Sequence, residues 1–315
     1  MTDIVPKISI IVVSFNTCQM TLACLRSVVA QTLTPYELIV IDNASSDGSA
    51  AAIKAEFPNI ALMAENENHG FAGANNLAAK HARGEKLLLL NPDTVILDGA
   101  IDRLYAFADR TPASRIWGGR TLFGDGSLNY GSAWRRMTLW NIFCRTAGLT
   151  GLFPKSEIFN SEAYGRWDRN TERQVDIVTG CFFLIALRDW KALGGFDQTF
   201  FMYGEEADLC LRAERDLGAA PRVVPDAVII HYGGASERVR ADKMVRLLSA
   251  KIALIDRHIP SWQRPMARVI FRLWPLSRRI ALDLLAFIGS QKGSESRSVW
   301  QAVWARRAEW QNGFV

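Results

Sequence analysis

The chain has 315 residues, 49% hydrophobic and 22% charged, a composition that excludes disordered and fibrous classes and can bury a large core. Charge is unevenly placed: Tyr232 to Val315 holds 15 Lys/Arg against 6 Asp/Glu, so a near-neutral body carries a basic tail suited to an anionic surface, membrane or nucleic acid. The five cysteines (Cys18, Cys24, Cys144, Cys181, Cys210) are scattered without a Cys-x-x-Cys pair, which gives no sign of a zinc site or disulfide framework and fits a reducing cytoplasm.

Met1 to Lys7 leads straight into a strand-like run, so no signal peptide is expected. No stretch reaches the roughly 18 apolar residues that span a bilayer. A soluble or peripheral protein is the expectation.

Residues 8–13 and 37–42 are short, continuous apolar runs rich in β-branched residues, the pattern of parallel strands covered on both faces. Between them, 17–31 has helix-like apolar spacing at Met20, Leu22, Leu25, Val28 and Val29. The spacing predicts further elements in alternation: a helix over 50–57, a strand over 59–63, a helix over 72–82 and a strand over 86–90. Such alternation indicates an open, mostly parallel α/β sheet with ligands at the carboxyl ends of its strands. The region from about 119 to 175, with Trp134, Arg135, Arg136, Trp140 and Trp167, is irregular and yields no placed element. A final α/β portion follows, with an apolar run over 175–186, a helix over 209–217 and a strand over 223–230. Beyond His231 the pattern turns helical. Residues 266–288 mix apolar positions with Arg268, Arg272, Arg278 and Arg279, and Pro275 predicts a break or kink. A basic helix with Trp and Phe on its apolar side can lie in a membrane interface. Alternatively its apolar residues pack on the body and its arginines are solvated.

Four constellations carry chemistry. Ser14-Phe15-Asn16 and Asp42-Asn43-Ala44-Ser45-Ser46-Asp47-Gly48-Ser49 follow the first two strands. A carboxylate at a strand tip, Asp42, can accept from a pyrimidine N–H or a ribose hydroxyl, whereas Asp47 is read as an ordinary helix cap. In Asn66 to Asn76 the glycines admit close backbone approach, and the helix start offers N–H groups to phosphate. Leu90-Asn91-Pro92-Asp93 ends a buried strand in a lone carboxylate, able to bind a divalent cation that holds two phosphates and eases departure of a nucleotide diphosphate. In Gly204-Glu205-Glu206-Ala207-Asp208, three carboxylates in four positions open a helix; the helix dipole explains them in part. Mutual repulsion can also raise one pKa into the range of a general base. His231 ends the last strand, where it can bind metal or diphosphate or simply serve as a polar group.

As an ordered set, V-V-S-F-N, I-D-N-A-S-S-D-G-S, N-H-G-F-A-G-A-N-N, L-L-N-P-D, G-G-F-D, Y-G-E-E-A-D-L-C-L-R and H-Y-G-G-A-S resemble the family 2 glycosyltransferases of the GT-A fold, and most of all the bacterial rhamnosyltransferases. The resemblance covers Ile8 to Ser236. It implies a GT-A domain over 1–236, with a donor half over about 1–120 and an acceptor half over about 121–236, followed by a helical basic segment over 237–315. The nucleotide-sugar site would comprise Ser14, Asn16, Asp42, Asn43, Asn68, Gly70, Gly73, Asn76, Asn91 and Asp93. Asp42 would meet the base. A Mg2+ or Mn2+ ion would rest on Asp93, with help from His231, because Asn91 stands where the family's D-x-D motif has its first acid. Glu206 takes the place of the family's catalytic base as a Glu where an Asp is usual; Asp208 and Glu205 are the other candidates. Gly194-Gly195-Phe196-Asp197 resembles a loop beside the acceptor cleft, although a plain turn is the preferred reading of Asp197.

The implied reaction is single-displacement, inverting transfer of a hexose, with L-rhamnose from dTDP-rhamnose as first choice, to a glycan or lipid-linked saccharide at the cytoplasmic face of the cell membrane. UDP-hexose or UDP-galactofuranose donors are alternatives. So is a catalytically silent protein that binds sugar nucleotides or recruits partners. The basic tail and its tryptophans can suggest single-stranded nucleic acid, but no nucleic-acid module accompanies them and no such partner is expected.

Overall fold

The computed structural model describes residues 5–233, 240–287 and 294–314. In chain order the elements begin with β1 (Ile8–Ser14), α1 (Cys18–Gln31), β2 (Tyr36–Asp42), α2 (Ser49–Glu56), β3 (Ala61–Ala64), α3 (Gly70–Ala79), β4 (Lys86–Leu90), β5 (Thr94–Ile96), α4 (Ala100–Arg110), β6 (Ile116–Leu122) and β7 (Ala133–Trp134). They continue with α5 (Leu139–Thr146), α6 (Leu149–Leu152), β8 (Arg173–Gln174), β9 (Ile177–Val178), β10 (Phe182–Ala186), α7 (Leu187–Ala192), α8 (Glu205–Leu217) and β11 (Arg222–His231). Last come α9 (Arg240–His258), α10 (Arg264–Phe287), α11 (Ser294–Ala305) and α12 (Arg307–Trp310). Sequence periodicity placed β4 to the residue, but it left 91–118 empty, where β5, α4 and the start of β6 stand.

The described residues form two compact units. One draws on Met1–Trp134, Asp168–Phe201 and Glu205–Ser236, the other on Arg135–Trp167, Met202–Gly204 and Glu237–Val315. Residues 135–167, read from sequence as part of the acceptor half, therefore cluster with the C-terminal helices. The expected boundary at 236/237 and the Gly234-Ala235-Ser236 end of the His231 motif lie outside the described residues.

The first unit is built on a sheet ordered β3-β2-β1-β4-β10-β6-β11-β5, with β8 also on β11. β3, β2, β1 and β4 are parallel neighbours, β10 inserts antiparallel between β4 and β6, and β11 runs parallel to β6. Every residue of β1 and β4 is buried, as their unbroken apolar runs require of strands covered on both faces. Leu22, Leu25 and Val28 of α1 and Ile101, Leu104 and Phe107 of α4 pack into the same core. With β2 on one side of β1 and β4 on the other, the carboxyl ends of these strands form the switch point where open α/β sheets bind ligands.

The second unit has its own apolar core of Ile142, Leu248, Ile252, Ile255, Phe271, Trp274 and Trp310, among others. α10 runs as one helix through Pro275, so the break expected there is absent. At its buried centre Glu162 accepts from Arg145 at 2.5 Å and Lys251 at 2.6 Å. Burial by itself would raise the Glu162 pKa; the two cations outweigh it and hold the group down at about 2. An unfolded glutamate titrates near about 4.3. The stabilisation is therefore complete above that value and lost as pH falls from there toward the folded value, about 3 kcal/mol across the window. Glu162→Gln strands two cations in a partly buried site, and urea unfolding at neutral pH should show a loss of about 3 kcal/mol. That loss should shrink as acid protonates the wild-type carboxyl.

Candidate active site

β1 and β2 end in register, Ser14 beside Asp42. Asp42 is 3% exposed. Its Oδ2 accepts from the Ser45 N–H at 3.3 Å, while Oδ1 is buried with no hydrogen-bond partner. An orphaned carboxylate oxygen at a strand tip is costly, and a ligand N–H or O–H would relieve it. Its neighbours serve the fold. The Ser14 hydroxyl lies 2.9 Å from that of Thr21. Asn16, at φ 53°, takes the Ser46 N–H through Oδ1 at 2.8 Å and gives its own N–H to Ser45 Oγ at 2.9 Å, locking the two loops together. Asp47 accepts from Ser49 N–H at 3.1 Å and from Cys18 N–H at 2.9 Å. It thus ties down the starts of both α2 and α1, but the cap position expected for it is held by Gly48, one residue on, which has no side-chain cap.

The glycine-rich loop is held from below. Asn43 Nδ2 donates to Asn68 Oδ1 at 2.9 Å and to the Gly70 carbonyl at 3.2 Å, and its Oδ1 accepts from the His69 N–H. Asn68 Oδ1 also takes the Gly70 N–H at 2.8 Å. Gly70 sits at φ +69°, and a Cβ there would lie 2.5 Å from the Phe201 carbonyl oxygen, so only glycine fits. Gly73, one turn into α3, is less tightly held: a Cβ there would lie 3.2 Å from His69 Cβ. Asn76 pairs through both amide ends with the Phe196 backbone, at 2.7 and 2.9 Å, and so holds the Gly194–Asp197 loop. There Asp197 takes the Thr199 N–H at 2.8 Å, the turn preferred for it from sequence.

At the end of β4, Asn91 and Asp93 meet His231 from the end of β11. His231 Nε2 lies 3.3 Å from Asp93 Oδ1 and 3.3 Å from Asn91 Nδ2. The pairing of β11 with β5 fixes this meeting, since His231 stands opposite Thr94. Burial would raise the Asp93 pKa, yet the histidine pulls it below the usual carboxylate range. Burial would lower the imidazole's pKa; Cys181 and Asp93 beside it outweigh that and raise it to about 11. Asn91 Oδ1 is buried with no partner. An acidic oxygen and an amide oxygen converge here, a donor pair suited to a hard divalent cation; His231, held protonated, would have to give up its proton before its nitrogen could join them. No cluster of three or more His, Cys, Asp or Glu able to hold a metal exists among the described residues, so a cation here would draw its remaining ligands from elsewhere, as a diphosphate supplies.

The carboxylate helix α8 begins at Glu205, four residues before the expected start, which puts Glu205, Glu206 and Asp208 in its first turn. They have three different fates. Glu205 is 4% exposed and its Oε2 has no hydrogen-bond partner. Burial, reinforced by the charge of Glu206, holds its pKa well above the ordinary value, so it stays protonated where a normal glutamate is ionised. Asp208 is buried against Arg212 at 2.7 Å, and Arg212 in turn donates to the carbonyls of Leu193 and Gly195. Asp208 is thereby an anchor of the 194–197 loop rather than a group free to take a proton. Glu206 remains half-buried, with its Cβ 3.8 Å from where a side chain on Gly180 would begin. Arg212 is the residue that sequence reasoning passed over; its spacing of four from Asp208 was the available signal.

The model of glycosyl transferase family 2 matches residues 9–183, more than half of the chain. The chain belongs to this family. Among similar proteins, an N-acetylglucosaminyl-diphospho-decaprenol L-rhamnosyltransferase of Mycobacterium tuberculosis is 28% identical to this family 2 glycosyltransferase over 90% of its chain and 92% of the relative's. O-antigen biosynthesis protein RfbC of Myxococcus xanthus is 26% identical over 75% of the chain, which spans 18% of that protein. The mannosyltransferase PcManGT of Pyrobaculum calidifontis, solved with GDP-Man and Mn2+, superposes with a TM-score of 0.59 at 16% identity, covering 98% of this chain and 87% of that one. S. aureus TarS follows with a TM-score of 0.52 at 16% identity, over 85% of this chain and 42% of that one. The family and its α/β GT-A fold stand as expected from sequence.

Proposed function

We propose that this glycosyltransferase moves a hexose, with L-rhamnose from dTDP-rhamnose as first choice, onto a lipid-linked saccharide at the cytoplasmic face of a membrane, with inversion at the anomeric carbon. The observation that carries the reading is the set of unsatisfied or charged groups at the strand tips: Asp42 Oδ1, Asn91 Oδ1 and the Asp93–His231 pair. Asp42 accepts the N–H of a uracil or thymine ring. The N–H groups of His69, Gly70 and Phe71 are already donated to Asn43, Asn68 and the Phe201 carbonyl, so neutralising the phosphates falls to the cation rather than to these groups at the start of α3. Asp93 and Asn91 would hold Mg2+ or Mn2+, joined by His231 only on loss of its proton, and the ion when bound neutralises the departing diphosphate. Glu206 takes the proton of the acceptor hydroxyl as that oxygen attacks from the face opposite the diphosphate. Glu205, kept neutral, donates no competing carboxylate. The choice of sugar and acceptor leans on the mycobacterial relative, whose name specifies L-rhamnose and a diphospho-decaprenol saccharide.

The test is thermal unfolding with a panel of nucleoside diphosphates and sugar nucleotides, with and without Mg2+ or Mn2+. A true donor at about 100 times its dissociation constant adds about 2.7 kcal/mol. Stabilisation by dTDP or UDP species that grows with metal is the expected result. A flat response across the panel would refute the donor site.

A further inference from the structure

Several charges withdrawn from water in the first unit are answered by a neighbour: Glu37 by Arg83, Lys86 by Asp109, Asp189 by Arg115 and Asp208 by Arg212. Arg120, in β6, has no such answer. It is part-buried, its Nε is buried with no hydrogen-bond partner, and no ion pair or ring contact holds it among the described residues. A guanidinium keeps its charge inside a protein, and a part-buried charge without an anion is costly.

The strand register sets where this cation points. A Cβ on Gly118 would meet Val178, and one on Gly119 would meet the Phe182 ring. Side chains alternate along a strand, so Arg120 shares the Val178 face. From Val178 the chain runs on to Gly180, where a Cβ would lie 3.4 Å from the Phe71 ring and 3.8 Å from Glu206 Cβ. Across the sheet, Phe183 pairs with Gly118, and continuing that antiparallel register sets Cys181 beside Arg120. On its other side the Cys181 carbonyl takes the Asn91 N–H at 3.1 Å. Arg120 is therefore level with Asn91 and two strands across, about 10 Å away at the usual strand spacing. It lies on the side of Glu206, four strands from Asp42 in β2.

We infer that Arg120 binds an anionic group of the acceptor, the phosphate that joins its saccharide to the lipid. The inference rests on the lipid-linked acceptor proposed above and names the charge by which the site would recognise it. The donor's diphosphate has its counter-charge in the divalent cation proposed at Asp93. The acceptor, which has to approach Glu206, has none but Arg120. A guanidinium presents paired N–H donors that match two phosphate oxygens. Nothing is transferred at Arg120; it holds the acceptor while Glu206 takes the proton.

Arg120→Met removes the charge at similar volume. Without ligand, its unfolding midpoint should equal the wild type's or exceed it by up to a few degrees, because no partner is left stranded. A lower midpoint would make Arg120 a structural group and overturn the inference. With the donor site filled by dTDP or UDP and Mg2+, glucose 1-phosphate should raise the wild-type midpoint further, and glucose should not. Arg120→Met should need about ten to a hundred times more glucose 1-phosphate for the same shift, and Arg120→Lys should fall between. Both variants should bind the nucleotide as wild type does. Weaker nucleotide binding by Arg120→Met would give the residue to the donor diphosphate and overturn the inference. So would an equal response of wild type and Arg120→Met to glucose 1-phosphate, or no response by wild type. If the nucleotides themselves give no shift, the donor reading fails, and the comparison with glucose 1-phosphate still decides Arg120.

Discussion

Glu206→Gln should lower sugar transfer by about a hundredfold to ten-thousandfold, the range that loss of a general base produces, while donor binding read by thermal shift stays near wild type. The argument rests on what its neighbours are already doing. Asp208 is tied to Arg212, which reaches on to the carbonyls of Leu193 and Gly195. Removing its charge should loosen the 194–197 loop and lower stability along with activity, so Asp208→Asn is expected to shift the unfolding midpoint as well as the rate. Glu205 is buried and held protonated, so Glu205→Gln replaces a neutral group by a neutral one and should leave the rate within a few-fold. Only at Glu206 should rate fall without stability. If Glu205→Gln abolished transfer and Glu206→Gln did not, the two would exchange roles.

Asp93→Asn should abolish the dependence of donor binding on Mg2+ or Mn2+ and reduce kcat/KM by roughly a hundredfold or more, as loss of a charged ligand to a catalytic cation does. Asp93 is 7% exposed, and its pKa lies below the usual range because His231 is beside it; it is the one buried carboxylate at the end of β4. Calorimetric titration of the metal in the presence of dTDP or UDP gives the direct reading. A variant that still binds the nucleotide in a metal-dependent way would move the cation off Asp93. Because Asn preserves shape, little change in unfolding is expected beyond the loss of the Asp93–His231 contact.

Much of the fold was legible without coordinates. The stretches 10–13, 38–41 and 87–90 are apolar throughout, and a chain segment with no polar face has to be a strand covered on both sides or a buried helix. What was not legible is instructive in its location. α4 has an apolar row at Ile101, Leu104 and Phe107 that period alone could have found. β10 gave no sign of lying antiparallel between β4 and β6, because strand direction is set by partners far along the chain. At Pro275 the local rule predicted a break or kink; the helix runs on unbroken, with Phe271 and Trp274 packed into the second core.

The sequence by itself determined the family, the order of the motifs and which residue types stand at strand tips, since these depend on neighbours a few positions away. The tertiary structure decided which of those residues are free to meet a ligand. Asn43 and Asn68 spend their amides on each other, and Asn76 spends its own on Phe196, 120 residues distant. Asp42 and Asn91 are left each with an unmet oxygen, and His231 is brought to Asn91 across 140 residues. The C-terminal helix illustrates the same division: its apolar and basic residues were visible in sequence, but only packing revealed that α10 has one face buried and another bare. A hydrogen bond is satisfied or orphaned, and an apolar face covered or exposed, by groups that sequence spacing does not bring near. Folding makes that choice.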